Sequence, residues 1–161
     1  MRILVFSDSH GRREPMIDAI AKYLPDSVIH CGDYYEDAMV LKDCFSWLPV
    51  YAVKGNCDYN CAAPEARTKR IEVLDGVRFL ITHGHMERVK MGYHNLYYTA
   101  REAEVDMAVF GHTHEKYCEK KDGIWLLNPG AAGSFGYGSF AVVQVEQGKI
   151  LDCQIKYFSE E

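Results

Sequence analysis

The chain has 161 residues, with 18 Lys and Arg against 23 Asp and Glu, a formal net charge of −5. Hydrophobic residues make up 48% and charged residues 25%, which excludes a disordered chain and lets one domain over 1–161 bury a core without disulfides or a structural metal. The acidic balance argues against non-specific binding to nucleic acid. In chain order, residues 2–7 form a continuous apolar run, as a strand buried on both faces requires. Met16, Ile17, Ile20, Ala21 and Leu24 have helical spacing and predict a helix over 14–24. A strand follows at Val28 to Cys31, then a helix over 36–47 with Ala38, Leu41, Phe45 and Leu48 on one face, then a strand at Val50 to Val53. Beyond residue 68 the texture changes. Asp75-Gly76, Asp122-Gly123 and Gln147-Gly148 are flanked by Arg70–Leu74 and Val77–Thr82, by Lys116–Lys121 and Ile124–Leu127, and by Ser139–Glu146 and Lys149–Tyr157, and predict three hairpins. A helix over 92–104 and a buried strand at Met107–Phe110 lie between the first two. Parallel βαβ units come first and antiparallel pairs last, which two mixed sheets packed together with helices outside would accommodate.

The apolar run at Ile3 to Phe6 is too short for a signal peptide, and no stretch approaches the length of a membrane span. The expected location is the cytoplasm, with no membrane partner. Six cysteines without a C-x-x-C pair are expected as free thiols. Cys61, four positions after Cys57, offers a local disulfide partner, although two neighbouring thiols are also an accident of composition.

The chemistry sits where apolar runs end. The first ends in Asp8-Ser9-His10, the second in Gly32-Asp33, and the third in Gly55-Asn56-Cys57-Asp58. Later runs end in His83-Gly84-His85 and Gly111-His112-Thr113-His114. Carboxyl ends of strands in α/β sheets share one rim, so these residues can converge on one cleft. Carboxylates, an amide and imidazoles suit Mn, Fe, Zn or Ni, and there are too many for one ion. Two ions with a shared carboxylate are the natural use.

These five motifs, in this order, resemble the calcineurin-like metallophosphoesterases, most closely their small single-domain phosphodiesterase-like branch of bacteria and archaea. The resemblance implies a four-layer α/β/β/α sandwich. It implies that Asp8, His10 and His114 hold one divalent ion, that Asn56, His83 and His112 hold a second, and that Asp33 bridges them. A hydroxide shared by the ions would attack phosphorus in line with the leaving oxygen of a small phosphate ester. Two departures stand out. Many members carry His after the Asn, where this chain has Cys57, so the group assisting the leaving oxygen is left open between Cys57, His85 and water. The segment after Asn128-Pro129-Gly130 also lacks the family's later Pro-Arg, which puts any substrate contact from it in doubt.

The remaining polar residues have plainer readings. His30 falls inside a strand and is expected behind the site. Arg12 and Arg13 are expected as solvated arginines at a helix start. His94 with Tyr93, Tyr97 and Tyr98 reads as core or interface, and residues 130–138, with four glycines, as a mobile loop near the cleft. Eleven tyrosines leave a partner surface or a homo-oligomer open. The leading expectation is a metal-dependent phosphodiesterase. A protein-interaction scaffold with a vestigial metal site, as in a eukaryotic retromer subunit, is the alternative. A nuclease is disfavoured by the short, acidic chain.

Overall fold

The computed structural model describes residues 1–159. The expected domain extends to residues 160 and 161, which lie outside the described residues. The elements are β1 (Arg2–Phe6), α1 (Glu14–Tyr23), β2 (Ser27–His30), α2 (Tyr35–Cys44), β3 (Val50–Ala52), β4 (Lys69–Leu74) and β5 (Val77–Thr82). They continue with a 3₁₀ turn at Val89–Met91, then α3 (His94–Glu102), β6 (Met107–Val109), β7 (Tyr117–Lys121), β8 (Ile124–Asn128), β9 (Ser139–Glu146) and β10 (Lys149–Tyr157).

Two five-stranded mixed sheets result, in the orders β10-β9-β1-β2-β3 and β4-β5-β6-β8-β7. In the first, β1, β2 and β3 are parallel and β9 returns antiparallel to β1. In the second, β5, β6 and β8 are parallel, with β4 and β7 antiparallel at the edges.

Strand alternation decides the layers. Ile3 and Val5 face inward with Ile29, Phe79, Ile81, Val109 and Val143, filling the space between the sheets. Leu4 and Phe6 face outward and pack beneath α1 and α2 through Met16, Ile20, Ala38 and Leu41. On the far side, Leu80, Ala108 and Leu126 pack against Leu96, Tyr97 and Ala100 of α3. The expected α/β/β/α order is therefore present. Each interior aromatic matters: truncating a buried Phe such as Phe79 costs about 3–5 kcal/mol.

All three hairpins form, and both central residues of each turn have positive φ, as a tight twisted turn demands. The first and third turns meet across the sheets, with Gly148 N–H donating to Asp75 O at 2.7 Å. A Cβ on Gly76 would stand 2.8 Å from Gly148 N, so glycine is required there. This contact closes the rim opposite the strands' polar ends.

All three helices are shorter than expected, α1 by one residue because Leu24 turns left-handed at φ 46. α2 stops at Cys44, because Phe45 leaves helical φ/ψ. α3 starts at His94, because Gly92 at φ 127 interrupts the chain after the 3₁₀ turn. Among the described residues, no helix is long and apolar enough to cross a membrane.

Candidate metal centre

Every singled-out motif lies at or just beyond a strand's carboxyl end on one rim. Asp8 follows β1, Asp33 follows β2, Asn56 follows β3, His83 follows β5 and His112 follows β6. Their backbone is unusual. Asp8, His10, Asp33, His112 and His114 all have positive φ, between 47° and 71°. Non-glycine residues seldom adopt this region, and a cluster of them marks a site held by its surroundings. The holding contacts are visible. Asp8 N–H donates to Gly32 O at 2.9 Å, Gly111 N–H to His83 O at 2.9 Å, and Gly133 N–H to Asp8 O at 3.0 Å.

Asp8 is fully buried, and its two carboxylate oxygens differ. Oδ2 accepts from Ser7 Oγ at 2.6 Å and from the His112 backbone N–H at 3.1 Å. Oδ1 has no hydrogen bond of good geometry, yet His114 Nε2 lies 3.1 Å away, His83 Nε2 3.8 Å and His10 Nε2 4.0 Å. Asp33 is also buried, with His83 Nε2 3.4 Å from its Oδ1 and His10 Nε2 3.8 Å from its Oδ2. Its Oδ1 further accepts the Cys57 backbone N–H at 2.9 Å. His83 is oriented from behind by the Cys31 carbonyl, 2.9 Å from Nδ1, so Nε2 faces the cluster and meets Asn56 Oδ1 at 3.0 Å. His112 joins through its ring, 5.0 Å from that of His83.

Two buried carboxylates facing imidazoles across short gaps would be costly unless a positive charge stood among them. Among the described residues, the buried side-chain atoms without a partner are Asp8 Oδ1, Ser27 Oγ and His85 Nδ1, and two of these three border the cluster. Ligand atoms of Asp8, His10 and His114 lie within 4.8 Å of one another, as do those of Asp8, Asp33 and His83. Oxygen and imidazole donors at such spacing fit a divalent transition metal. Glycines make the cradle. A Cβ on Gly55 would stand 2.0 Å from Asp33 Oδ1, and one on Gly111 2.5 Å from Asp8 Oδ2.

Electrostatics follow from this packing. Burial alone would raise the Asp8 carboxyl, but the His114 imidazole 3.1 Å away, the charge of His83 and the Ser7 hydroxyl outweigh it and hold the pKa at about 2. His112 is pushed down to about 4 by burial, then by His83 and Lys90. His85 is also lowered, by burial and His83. His114 is raised by the Asp8 carboxylate close beside it. Desolvation and the hydrogen bond to Asp33 push the Cys57 thiol up to about 11.

Of the other singled-out residues, His85 stands beside the cluster, its ring 5.4 Å from that of His83. Cys57 Sγ groups with His10 and Asp33, whereas Cys61 packs toward the α1–α2 side. Both are free thiols. His30 is buried behind the site, 2.9 Å from Ser9 Oγ. Arg12 and Arg13 are not simply solvated. Arg12 donates to Ser134 O at 2.8 Å and stands 4.2 Å from the centre of the Phe135 ring, and Arg13 pairs with Asp37 at 2.8 Å. Asp37 also accepts from Ser9 Oγ and Gly11 N–H, so it anchors the Asp8–His10 turn from α2. Sequence reasoning missed Asp37. Its position four residues after Asp33, at the start of a helix, was the available signal.

Residues 1–148 match the calcineurin-like phosphoesterase superfamily domain. The chain belongs to this superfamily. Among its phosphoesterase relatives, YsnB of Bacillus subtilis, named a probable metallophosphoesterase, is 36% identical over 135 residues, covering 81% of this chain and 75% of YsnB. A phosphodiesterase of Methanocaldococcus jannaschii is 30% identical over 146 residues, covering 81% of this chain and 83% of that protein. A solved structure of a predicted phosphoesterase from Streptococcus pneumoniae matches with TM-score 0.78 and 25% identity, covering 99% of this chain and 91% of that one. Vps29 from Entamoeba histolytica shares the fold, with TM-score 0.76, 20% identity, and coverage of 99% and 100%. The calcineurin-like chain is thus a metallophosphoesterase by family, with a residue cluster suited to divalent metal.

Proposed function

We propose that the chain is a cytoplasmic phosphodiesterase that hydrolyses small phosphate esters with two divalent ions side by side, Mn²⁺ first and Ni²⁺, Fe²⁺ or Zn²⁺ as substitutes. The observation that carries this reading is Asp8 Oδ1, a buried carboxylate oxygen without a hydrogen bond, faced by three imidazole nitrogens within 4.0 Å. Asp8, His10 and His114 would hold one ion, Asn56, His83 and His112 the other, and Asp33 both. Bound there, the ions supply Lewis acidity, bringing the pKa of a water near neutrality and offsetting phosphoryl charge.

The chain's own residues do the rest. The Cys31 carbonyl holds the His83 ring in register, and Ser7 with the His112 backbone pins Asp8. Attack comes from a water-derived nucleophile, in line with the leaving oxygen. Cys57, with a pKa of about 11, keeps its proton at neutral pH and is a donor toward that oxygen. His85, kept neutral, is the second candidate donor or orienting group. That a relative is named a phosphodiesterase supports a diester rather than a monoester as the substrate here. Free cysteines suit a reducing compartment.

The test is hydrolysis of bis(p-nitrophenyl) phosphate by chelator-treated protein titrated with Mn²⁺ and then other ions. Activity should appear only with metal and saturate near two ions per chain. Folded, metal-loaded protein that cleaves neither this diester nor p-nitrophenyl phosphate would sink the reading. The second reading, a non-catalytic scaffold on the Vps29 fold, would then lead. The exposed side chains of Tyr59, Phe135 and Tyr137 favour it.

A further inference from the structure

Away from the rim, two cysteines distant in sequence meet. Cys118 lies on β7, the edge of one sheet, and Cys153 on β10, the edge of the other. Their sulfurs are 3.0 Å apart. Both side chains pack on the inter-sheet core and both are only partly buried, so solvent reaches the pair. The same two edges meet again where the Lys116 ammonium stands 4.7 Å above the Tyr157 ring. The sheet edges are therefore already apposed, and no large backbone movement separates the thiols from bonding distance. A disulfide S–S bond is about 2.05 Å, so the sulfurs need to close by about 1 Å, within reach of side-chain rotation.

We propose that Cys118 and Cys153 are an oxidisable dithiol that closes into a reversible disulfide stitching the two sheets together. The oxidant is a hydroperoxide. The first thiolate attacks the peroxide oxygen, the O–O bond breaks, and a sulfenic acid forms with release of water. The second thiolate then attacks that sulfur and expels the hydroxyl as a second water. Two thiols and one hydrogen peroxide give one disulfide and two waters, with two electrons passing from the sulfurs to the peroxide.

The hydrogen bond between the thiols favours this order of events. It lowers the Cys118 thiol and raises that of Cys153, so Cys118 ionises first and its neighbour supplies the resolving sulfur. The closed ring would enclose β8, residues 129–138 and β9. It would also fasten the strand that leaves the His112–His114 turn. A bridge closing a loop of this length restricts the unfolded chain substantially, so the oxidised protein should melt at a higher temperature.

The experiment exposes reduced full-length protein to a small excess of hydrogen peroxide, blocks the remaining thiols under denaturing conditions, and maps linked peptides by mass spectrometry. Thermal melts are run beside it. The expected result is a dominant 118–153 linked peptide and a melting temperature raised by several degrees, both reversed by dithiothreitol. Cys118→Ser and Cys153→Ala should each abolish the linked peptide and the shift while retaining the reduced protein's melt within a few degrees. Wild-type protein alone decides the matter if a variant folds poorly. A dominant 57–61 linkage overturns the proposal. So does oxidation of Cys118 or Cys153 to sulfinic acid without a link, or a linked protein that melts no higher than the reduced one.

Discussion

His114 Nε2 lies 3.1 Å from Asp8 Oδ1, so the last motif in the chain closes on the first. The approach spans the two sheets. β1, which ends at Asp8, belongs to one, and β6, which leads to His112 and His114, belongs to the other. The candidate centre is thus a seam, and its geometry depends on how the sheets pack.

Asp33 stands at the middle of that seam, with His10 on one oxygen and His83 on the other. Asp33→Ala is expected to lower diester hydrolysis by on the order of 10³ or more, since one change removes a donor shared by both proposed ions. Asn56→Ala is expected to spare the ion near His10 and His114 and to weaken the other by about 10–100-fold. Isothermal titration with Mn²⁺ separates the two. Asp33→Ala protein that still binds two ions and turns over substantially would contradict the shared-carboxylate role.

Cys57 tests the leaving-group step. Its thiol, at about 11, is a weak acid beside an imidazole. Cys57→His should therefore speed cleavage of alkyl phosphate diesters and leave p-nitrophenyl esters, whose leaving group needs no proton, nearly unchanged. The ratio of the two rates is the readout. Equal or slower cleavage of the alkyl esters would remove Cys57 from that role.

Gly55 is a packing test of the same site. A methyl there would meet Asp33 Oδ1 at 2.0 Å and Asp33 N at 2.5 Å. Gly55→Ala must displace Asp33 or the turn before Asn56. Loss of metal-dependent activity is expected with a stability decrease of about 1–3 kcal/mol. Chemical denaturation and metal titration of the same preparation check both parts.

The rim was legible in the sequence because each strand is nearly all apolar and stops abruptly at a polar residue. Asp8, Asp33, Asn56, His83 and His112 announce themselves by that contrast. The hairpins were legible because Asp-Gly and Gln-Gly fit turns with two positive φ values. Other features depend on contacts between distant segments. Nothing around Asp37 in sequence says that its carboxylate reaches Ser9 and Gly11. The positive φ at His10 and His114 is imposed by the packed turns rather than by residue type. Cys118 and Cys153 meet only because β10 and β7 occupy the edges of apposed sheets. Arg12 looked solvated because its acceptors, Gly133 and Ser134, lie far along the chain.

Acid should weaken the metal-free protein before it protonates the carboxylates. His112 ionises near 4 in the fold and near 6.5 when unfolded, because burial and the neighbouring His83 disfavour its charged form. His30 and His85 are lowered for the same first reason, burial. Between about 6.5 and 4 the unfolded chain therefore binds more protons than the folded one, and stability falls as pH falls. His114 runs the other way, since the Asp8 carboxylate beside it favours the charged ring, but it is one group against three. Asp8, held at about 2, adds a second loss as pH drops from about 3.8 toward 2. Metal-loaded protein should lose stability more steeply in the upper window, because protons compete with the ions for the imidazoles. Urea denaturation from pH 7.5 to 4.5, with chelator and with Mn²⁺, measures both slopes. A metal-free stability that is flat or rises on acidification would refute the burial of His30, His85 and His112 as neutral rings, and identical slopes with and without Mn²⁺ would refute metal binding by the cluster's imidazoles.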